Sequence, residues 1–225
     1  MADRSSRAPA PPDMAIRLFG EPRPPTAARD VVAGRLSFRL DGMALGWIRW
    51  DGIEVLRGIA FVVRDRDWGT YEPEVTVEAE ERSESGVVLR LAALIPQDGA
   101  RLACRVVVNA GNDGLSISGE ATASGAFHTN RTGFVVLHPV SCAGAPIRVE
   151  RVGGSIADAS FPRLINPHQP FFDIAAIEHQ PAPGITARVA FSGEVFEMED
   201  QRNWTDASFK TYCRPLAHPC PYVVG

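Results

Sequence analysis

The sequence predicts an all-β fold, a large antiparallel β-sandwich with few or no helices. Two observations carry this. From Arg35 onward apolar and polar residues alternate with a period of two, the pattern of strands with one buried face. Turn signals rich in Gly, Asp, Asn and Pro separate these stretches at intervals of roughly 8–12 residues, the spacing of a sandwich or barrel. A chain of 225 residues that is 45% hydrophobic and 22% charged has ample material for a core, which excludes a wholly disordered protein.

The elements follow in order. Leu36, Phe38 and Leu40 alternate with Ser37 and Arg39 before the Asp41-Gly42 turn. Trp47-Ile-Arg-Trp50 leads into a second Asp-Gly turn at 51–52, and Ile53-Glu-Val-Leu56 continues from it. Val75, Val77 and Ala79 alternate with Thr76, Glu78 and Glu80; strands follow over 87–95 and 102–108, with a loop at 109–114 before Leu115-Ser-Ile-Ser118. Further strands are expected at 133–138, 147–150, 185–191 and 195–200. Pro170 to His179 could form a short helix, but Phe172, Ile174 and Ala176 suit a strand, which is the reading adopted. Residues 1–30 carry Pro9, Pro11, Pro12, Pro22, Pro24 and Pro25 and are expected to be a Pro-rich flexible tail. Residues 31–225 are expected to form a single β-sandwich domain. Pro221-Tyr-Val-Val-Gly225 reads as the first half of a strand, so the chain is expected to be a piece of something longer.

Composition narrows the function. A net charge of −4 offers no electrostatic footprint for nucleic acid or an anionic membrane, and no apolar run approaches the roughly 20 residues of a membrane helix. The amino terminus lacks a secretory h-region, so the cytoplasm is the expected compartment and Cys104, Cys142, Cys213 and Cys220 are expected as thiols. No His-x-His or His-x₃-His spacing, nucleophile elbow or phosphate loop occurs, so no metal and no cofactor is expected.

The densest polar segment runs from Glu194 to Tyr212. On a strand over 195–200, Glu197 and Glu199 share one face while Phe196 and Met198 share the other. Paired carboxylates serve as acid and base when their environments differ. Arg202, Asn203, Trp204, Asp206 and Lys210 are read as a loop beside these acids, an aromatic plate among donors and acceptors that suits a polyhydroxylated ring. Glu199 or Asp200 is the candidate base, with Arg202 or Lys210 facing an oxyanion. Glu197, Asn203, Trp204, Asp206, His138 and Arg131 are candidate substrate contacts; a histidine that merely ends a strand is the competing reading of His138.

The run Phe196-Glu-Met-Glu-Asp-Gln-Arg-Asn-Trp-Thr-Asp-Ala-Ser-Phe-Lys-Thr-Tyr-Cys-Arg-Pro-Leu216 resembles the D-apionate lactonases, bacterial enzymes of branched-pentose catabolism. Trp50-Asp-Gly-Ile-Glu-Val-Leu-Arg-Gly58, Arg131-Thr-Gly-Phe-Val-Val-Leu-His-Pro139 and Phe161-Pro-Arg-Leu-Ile-Asn-Pro-His-Gln-Pro-Phe-Phe-Asp173 agree, in the expected order. The resemblance implies the amino-terminal domain of such an enzyme, hydrolysing a sugar-acid lactone (D-apionolactone) to the open acid. It also implies a partner, a barrel domain of the same or a neighbouring chain. Two other readings compete. One is a non-catalytic carbohydrate-binding or scaffold sandwich; the other is an enzyme similar to the aldose mutarotases, a supersandwich that pairs a His with a Glu, for which His138, Glu197 and Glu199 are the candidates.

Overall fold

Among the described residues the chain forms 17 strands, and alternation along the longer ones turns an apolar stripe toward a shared interior. A computed structural model describes residues 14–19, 28–204 and 207–224. The strands are β1 (Arg29–Ala33), β2 (Leu36–Asp41), β3 (Ala44–Trp50), β4 (Ile53–Arg64), β5 (Val75–Arg82), β6 (Gly86–Gln97), β7 (Ala100–Gly111), β8 (Gly114–Ser124) and β9 (Phe127–Thr129). They continue as β10 (Arg131–His138), β11 (Pro146–Arg151), β12 (Ile156–Ser160), β13 (Phe171–Ala182), β14 (Ile185–Ala190), β15 (Phe196–Gln201), β16 (Ser208–Tyr212) and β17 (Tyr222–Val224). The helical residues described are Met14–Phe19 and a 3₁₀ turn at Val140–Cys142, so the all-β expectation holds.

An 11-stranded antiparallel sheet runs β1-β2-β3-β4-β10-β16-β15-β13-β11-β12, with β14 also paired to β13. A four-stranded sheet, β5-β6-β7-β8, packs over its first half. Val31, Phe38, Leu45 and Ile48 from the long sheet meet Leu89, Leu91, Val106 and Val108 from the short one. Each such side chain contributes about 1.5–3 kcal/mol on burial. A second core gathers Ile147, Phe161, Ile174, Phe196, Met198 and Phe209 on the same face of the long sheet further along.

The Asp51-Gly52 turn is built as its residues dictate: both have positive φ, 49° and 81°, the twist a two-residue hairpin needs. The 170–179 segment is strand, within β13. Within the stretch expected as a tail, residues 1–30, Met14–Phe19 are helical and β1 begins at Arg29; residues 1–13 and 20–27 lie outside the described residues. One expectation is corrected. Lys210 does not stand in a loop: the loop ends at Ala207 and Ser208–Tyr212 is a strand, held in register by β10 on one side and β15 on the other. The four cysteines are unpaired, three of them buried. No helix among the described residues is long and apolar enough to cross a membrane.

Candidate active site

The hairpin of β15 and β16 decides which polar groups meet. Its connection closes with Trp204 N–H donating to Gln201 O at 2.9 Å and Ala207 N–H to Trp204 O at 3.0 Å. The register then pairs Glu197 with Tyr212 and Glu199 with Lys210, and paired residues share a face. On the other flank Tyr212 pairs with Val135 and Lys210 with Leu137 of β10. Glu197, Glu199, Lys210 and Tyr212 therefore project together from the outer face, away from Phe196, Met198 and Phe209.

Tyr212 is the hub. Its hydroxyl lies 2.6 Å from Glu197 Oε1 and 2.7 Å from Glu199 Oε1, and the ring is fully buried. Burial first, and then the two carboxylates, push the phenol far above its ordinary pKa, so it keeps its proton. The phenol's single hydrogen faces both carboxyl oxygens, so it is shared between them or donated to each in turn. Gln201 Nε2 donates to Glu199 Oε2 at 2.7 Å, and the Leu216 N–H donates to Glu197 Oε1 at 2.8 Å, fixing both carboxyl groups. A depression of ≈ 520 Å³ lies beside Glu197, between Phe172 and residues 215–218, within the size range of small-molecule sites.

Positive charge borders the trio. The Arg131 guanidinium stacks 3.9 Å from the Tyr212 ring centroid and 5.4 Å from that of Trp68. Trp68 holds this place with a left-handed backbone, φ 67°, and its carbonyl accepts from Arg64 Nη1 at 3.1 Å. Burial and then the neighbouring Arg131 lower the Arg64 pKa. Lys210 Nζ lies 5.7 Å from the Tyr212 ring. Arg131 Nε and Ser208 Oγ are buried polar atoms without a hydrogen-bond partner, groups a bound ligand could satisfy.

The remaining sequence candidates stand elsewhere. Asp200 projects from the opposite, core-facing side, where Arg202 grips it through Nε at 2.8 Å and Nη2 at 2.7 Å. The Asn166 N–H donates to the same carboxylate, and the guanidinium covers Phe209 at 4.5 Å. Burial pushes the Asp200 pKa upward, but the hydrogen bonds from Arg202 and Asn166 outweigh it and the net shift is down. The pair neutralises itself and is not joined to Glu199 or Lys210. His138 is also core-facing, paired with Phe209 rather than Lys210, with Nε2 3.0 Å from Thr211 Oγ1. It packs 5.5 Å from His179, ring to ring, and does not meet Glu197 or Glu199, so the mutarotase-like grouping of the three is not assembled. Asn203 and Trp204 are exposed on the β15–β16 turn, Trp204 by 67%, and Asp206 lies outside the described residues.

Sequence reasoning missed Tyr212, Ser208, Arg64 and Trp68. Alternation within Ser208-Phe-Lys-Thr-Tyr212 was the available signal for the first two; nothing local marks Arg64, which pairs with Arg131 across strands, or Trp68, whose carbonyl Arg64 holds.

The sequence profile described as "D-apionate lactonase, N-terminal domain" matches residues 16–225. A D-apionate lactonase from Brucella anthropi is 44% identical over 210 residues, covering 92% of this chain. The chain spans 34% of that relative's length. With nearly its whole length matched, the chain belongs to the family of D-apionate lactonase N-terminal domains.

Proposed function

We propose that the outer face around Tyr212 is a proton-handling site for hydrolysis of a sugar-acid lactone, D-apionolactone by resemblance to the relative's name. The observation that carries this is the Tyr212 hydroxyl held 2.6 and 2.7 Å from two carboxylates. Lactone hydrolysis adds water across an acyl C–O bond: a base takes a proton from water, the oxygen attacks the carbonyl carbon, and the departing ring oxygen takes a proton back. Glu199, half-buried and oriented by Gln201, is the base. Tyr212 passes the proton between Glu199 and Glu197, and the trio returns it to the leaving oxygen. Lys210 and Arg131 supply positive charge for the tetrahedral oxyanion. Asn203 and Trp204 stand beyond Gln201 as contacts for hydroxyls and the ring's C–H face.

The test is pH-stat titration of acid release from D-apionolactone, with this chain and with the full-length relative. Tyr212→Phe and Glu199→Gln, at the aligned positions of the relative, are expected to lower kcat by about 10²-fold or more with KM changed by less than about threefold. Rates within threefold of the unmodified enzyme refute the assignment. The scaffold reading is favoured by one observation, the Leu216 N–H held by Glu197, which makes the trio a brace for the segment after β16. It expects Tyr212→Phe to lower the melting temperature and leave turnover intact.

A further inference from the structure

The two sheets of the sandwich are unequal, and the mismatch leaves two strand edges open. Among the described residues β8 pairs only with β7, and β14 only with β13. β8 is 11 residues long, so a row of main-chain N–H and C=O groups points away from β7 with nothing paired to it. Between the free sides of β8 and β14 lies a cleft of ≈ 910 Å³. Its floor is Ile59, Phe61 and Phe134; Leu115 and Ile117 line it from β8, and Val189 from β14. Gly119 of β8 lets the floor rise, because a Cβ there would stand 2.5 Å from the Phe61 ring.

Such a space, apolar below and flanked by unpaired backbone, is complementary to an extended polypeptide. A strand satisfies both edges by hydrogen bonding and drops every second side chain onto the floor. The comparisons supply the source. The Brucella anthropi protein is about three times as long as the matched region, which spans 34% of it, and the family is defined as an N-terminal domain, so most of the remainder follows that region. Tyr222 and Val224 of β17 line the same cleft, which brings the start of the following polypeptide to its mouth.

We propose that in the longer members of the family this cleft receives a strand of the polypeptide that follows the N-terminal domain, paired with the edges of β8 and β14. The contact ties the domain to the rest of the enzyme by backbone pairing as well as by the covalent link. It stands independently of the lactonase reading, because it is tested without turnover.

The test compares amide hydrogen exchange of this chain with that of the full-length Brucella anthropi protein. Amides of β8 and β14 are expected to exchange at least about 10²-fold more slowly in the full-length protein, while those of β6 and β7, already flanked on both sides, change by less than about threefold. In the full-length protein a Glu at the position of Val189 is expected to restore at least tenfold of the lost exchange at β8. Ala at the position of Arg148, which lies outside the cleft on β11 beside Asp158, leaves it unchanged. Circular dichroism of Val189→Glu in this chain reports whether the variant folds, and if it does not the two unmodified proteins decide alone. Equal exchange of β8 and β14 in both proteins overturns the proposal. So does protection of β8 in this chain that rises with its concentration, which assigns the cleft to a second copy, or protection induced by a fatty acid, which assigns it to an apolar ligand.

Discussion

His138 and His179 form a buried imidazole pair whose acid sensitivity is open to direct measurement. The rings stand edge to face at 5.5 Å, and neither ring nitrogen of His179 has a hydrogen-bonding partner, nor does His138 Nδ1. Burial, and then the neighbouring His179, lower the His138 pKa from 6.5 to about 3; burial lowers His179 as well. The folded protein therefore resists protonation that the unfolded chain accepts. A depressed histidine contributes fully above its unfolded pKa and loses that contribution as pH falls from there toward the folded value. At pH 4.5, two units below the ordinary histidine value, His138 alone costs about 2.7 kcal/mol of stability, and His179 adds to it. Asp51, Glu80 and Asp200 have lowered pKa values, so their contribution is lost as pH falls from the ordinary carboxylate values toward the lower folded ones, at the acid end of or below the window from 6.5 to 4.5 in which the histidines act. Urea unfolding across this window is the assay. Stability is expected to fall by more than about 2 kcal/mol for the unmodified chain and less steeply for His179→Phe, which removes one titrating group and the charge opposing protonation of His138. A flat profile, or an unchanged slope in the variant, refutes the reasoning.

Two further predictions concern the other buried polar groups. Asp200→Ala strands the Arg202 guanidinium, whose side chain is 8% exposed, and is expected to cost about 3–5 kcal/mol in urea unfolding; a loss below 1 kcal/mol shows that the pair is dispensable. Burial raises the thiols of Cys104 and Cys213 to about 11 and that of Cys142 to about 12, while Cys220 is exposed. Ellman's reagent at pH 8 is expected to titrate one thiol in the native protein and four in guanidinium; rapid reaction of two or more native thiols contradicts the packing.

Strands were legible because alternation is a local signal. Phe196 and Met198 announced which face of β15 is buried, and Glu197 and Glu199 followed onto the other. The site was legible only as far as one strand reaches. Glu199 and Asp200 are adjacent in the chain and looked interchangeable as bases, yet their side chains leave opposite faces of the sheet, one toward Tyr212 and one toward Arg202. Lys210 looked like a loop residue because the polar stretch from Glu199 to Asp206 gives no hint of where the hairpin returns. Arg131 meets Tyr212 through the pairing of β10 with β16, a contact spanning some eighty positions that no local pattern encodes.

The cost of the Tyr212 cluster is itself evidence about its purpose. Phe196, Met198 and Phe209 already anchor β15 and β16 from the core side, so the hairpin does not need polar groups on its other face to stay in the sheet. Placing Glu197 at 2% exposure, Tyr212 at 0% and Arg131 at 4% there takes charge out of water, which costs several kcal/mol per ion before hydrogen bonds and cation–π contacts offset it. Buried ionic clusters replaced by apolar side chains of similar size are commonly neutral or stabilising by about 1–4 kcal/mol. Replacing the cluster whole, Glu197→Leu, Glu199→Leu and Tyr212→Phe together with Arg131→Met and Lys210→Met so that no buried cation is stranded, is accordingly expected to keep or raise the melting temperature of this chain while abolishing lactone turnover in the relative carrying the same changes. A chain that unfolds instead shows the cluster to be a structural brace, its hold on Leu216 being what the fold requires.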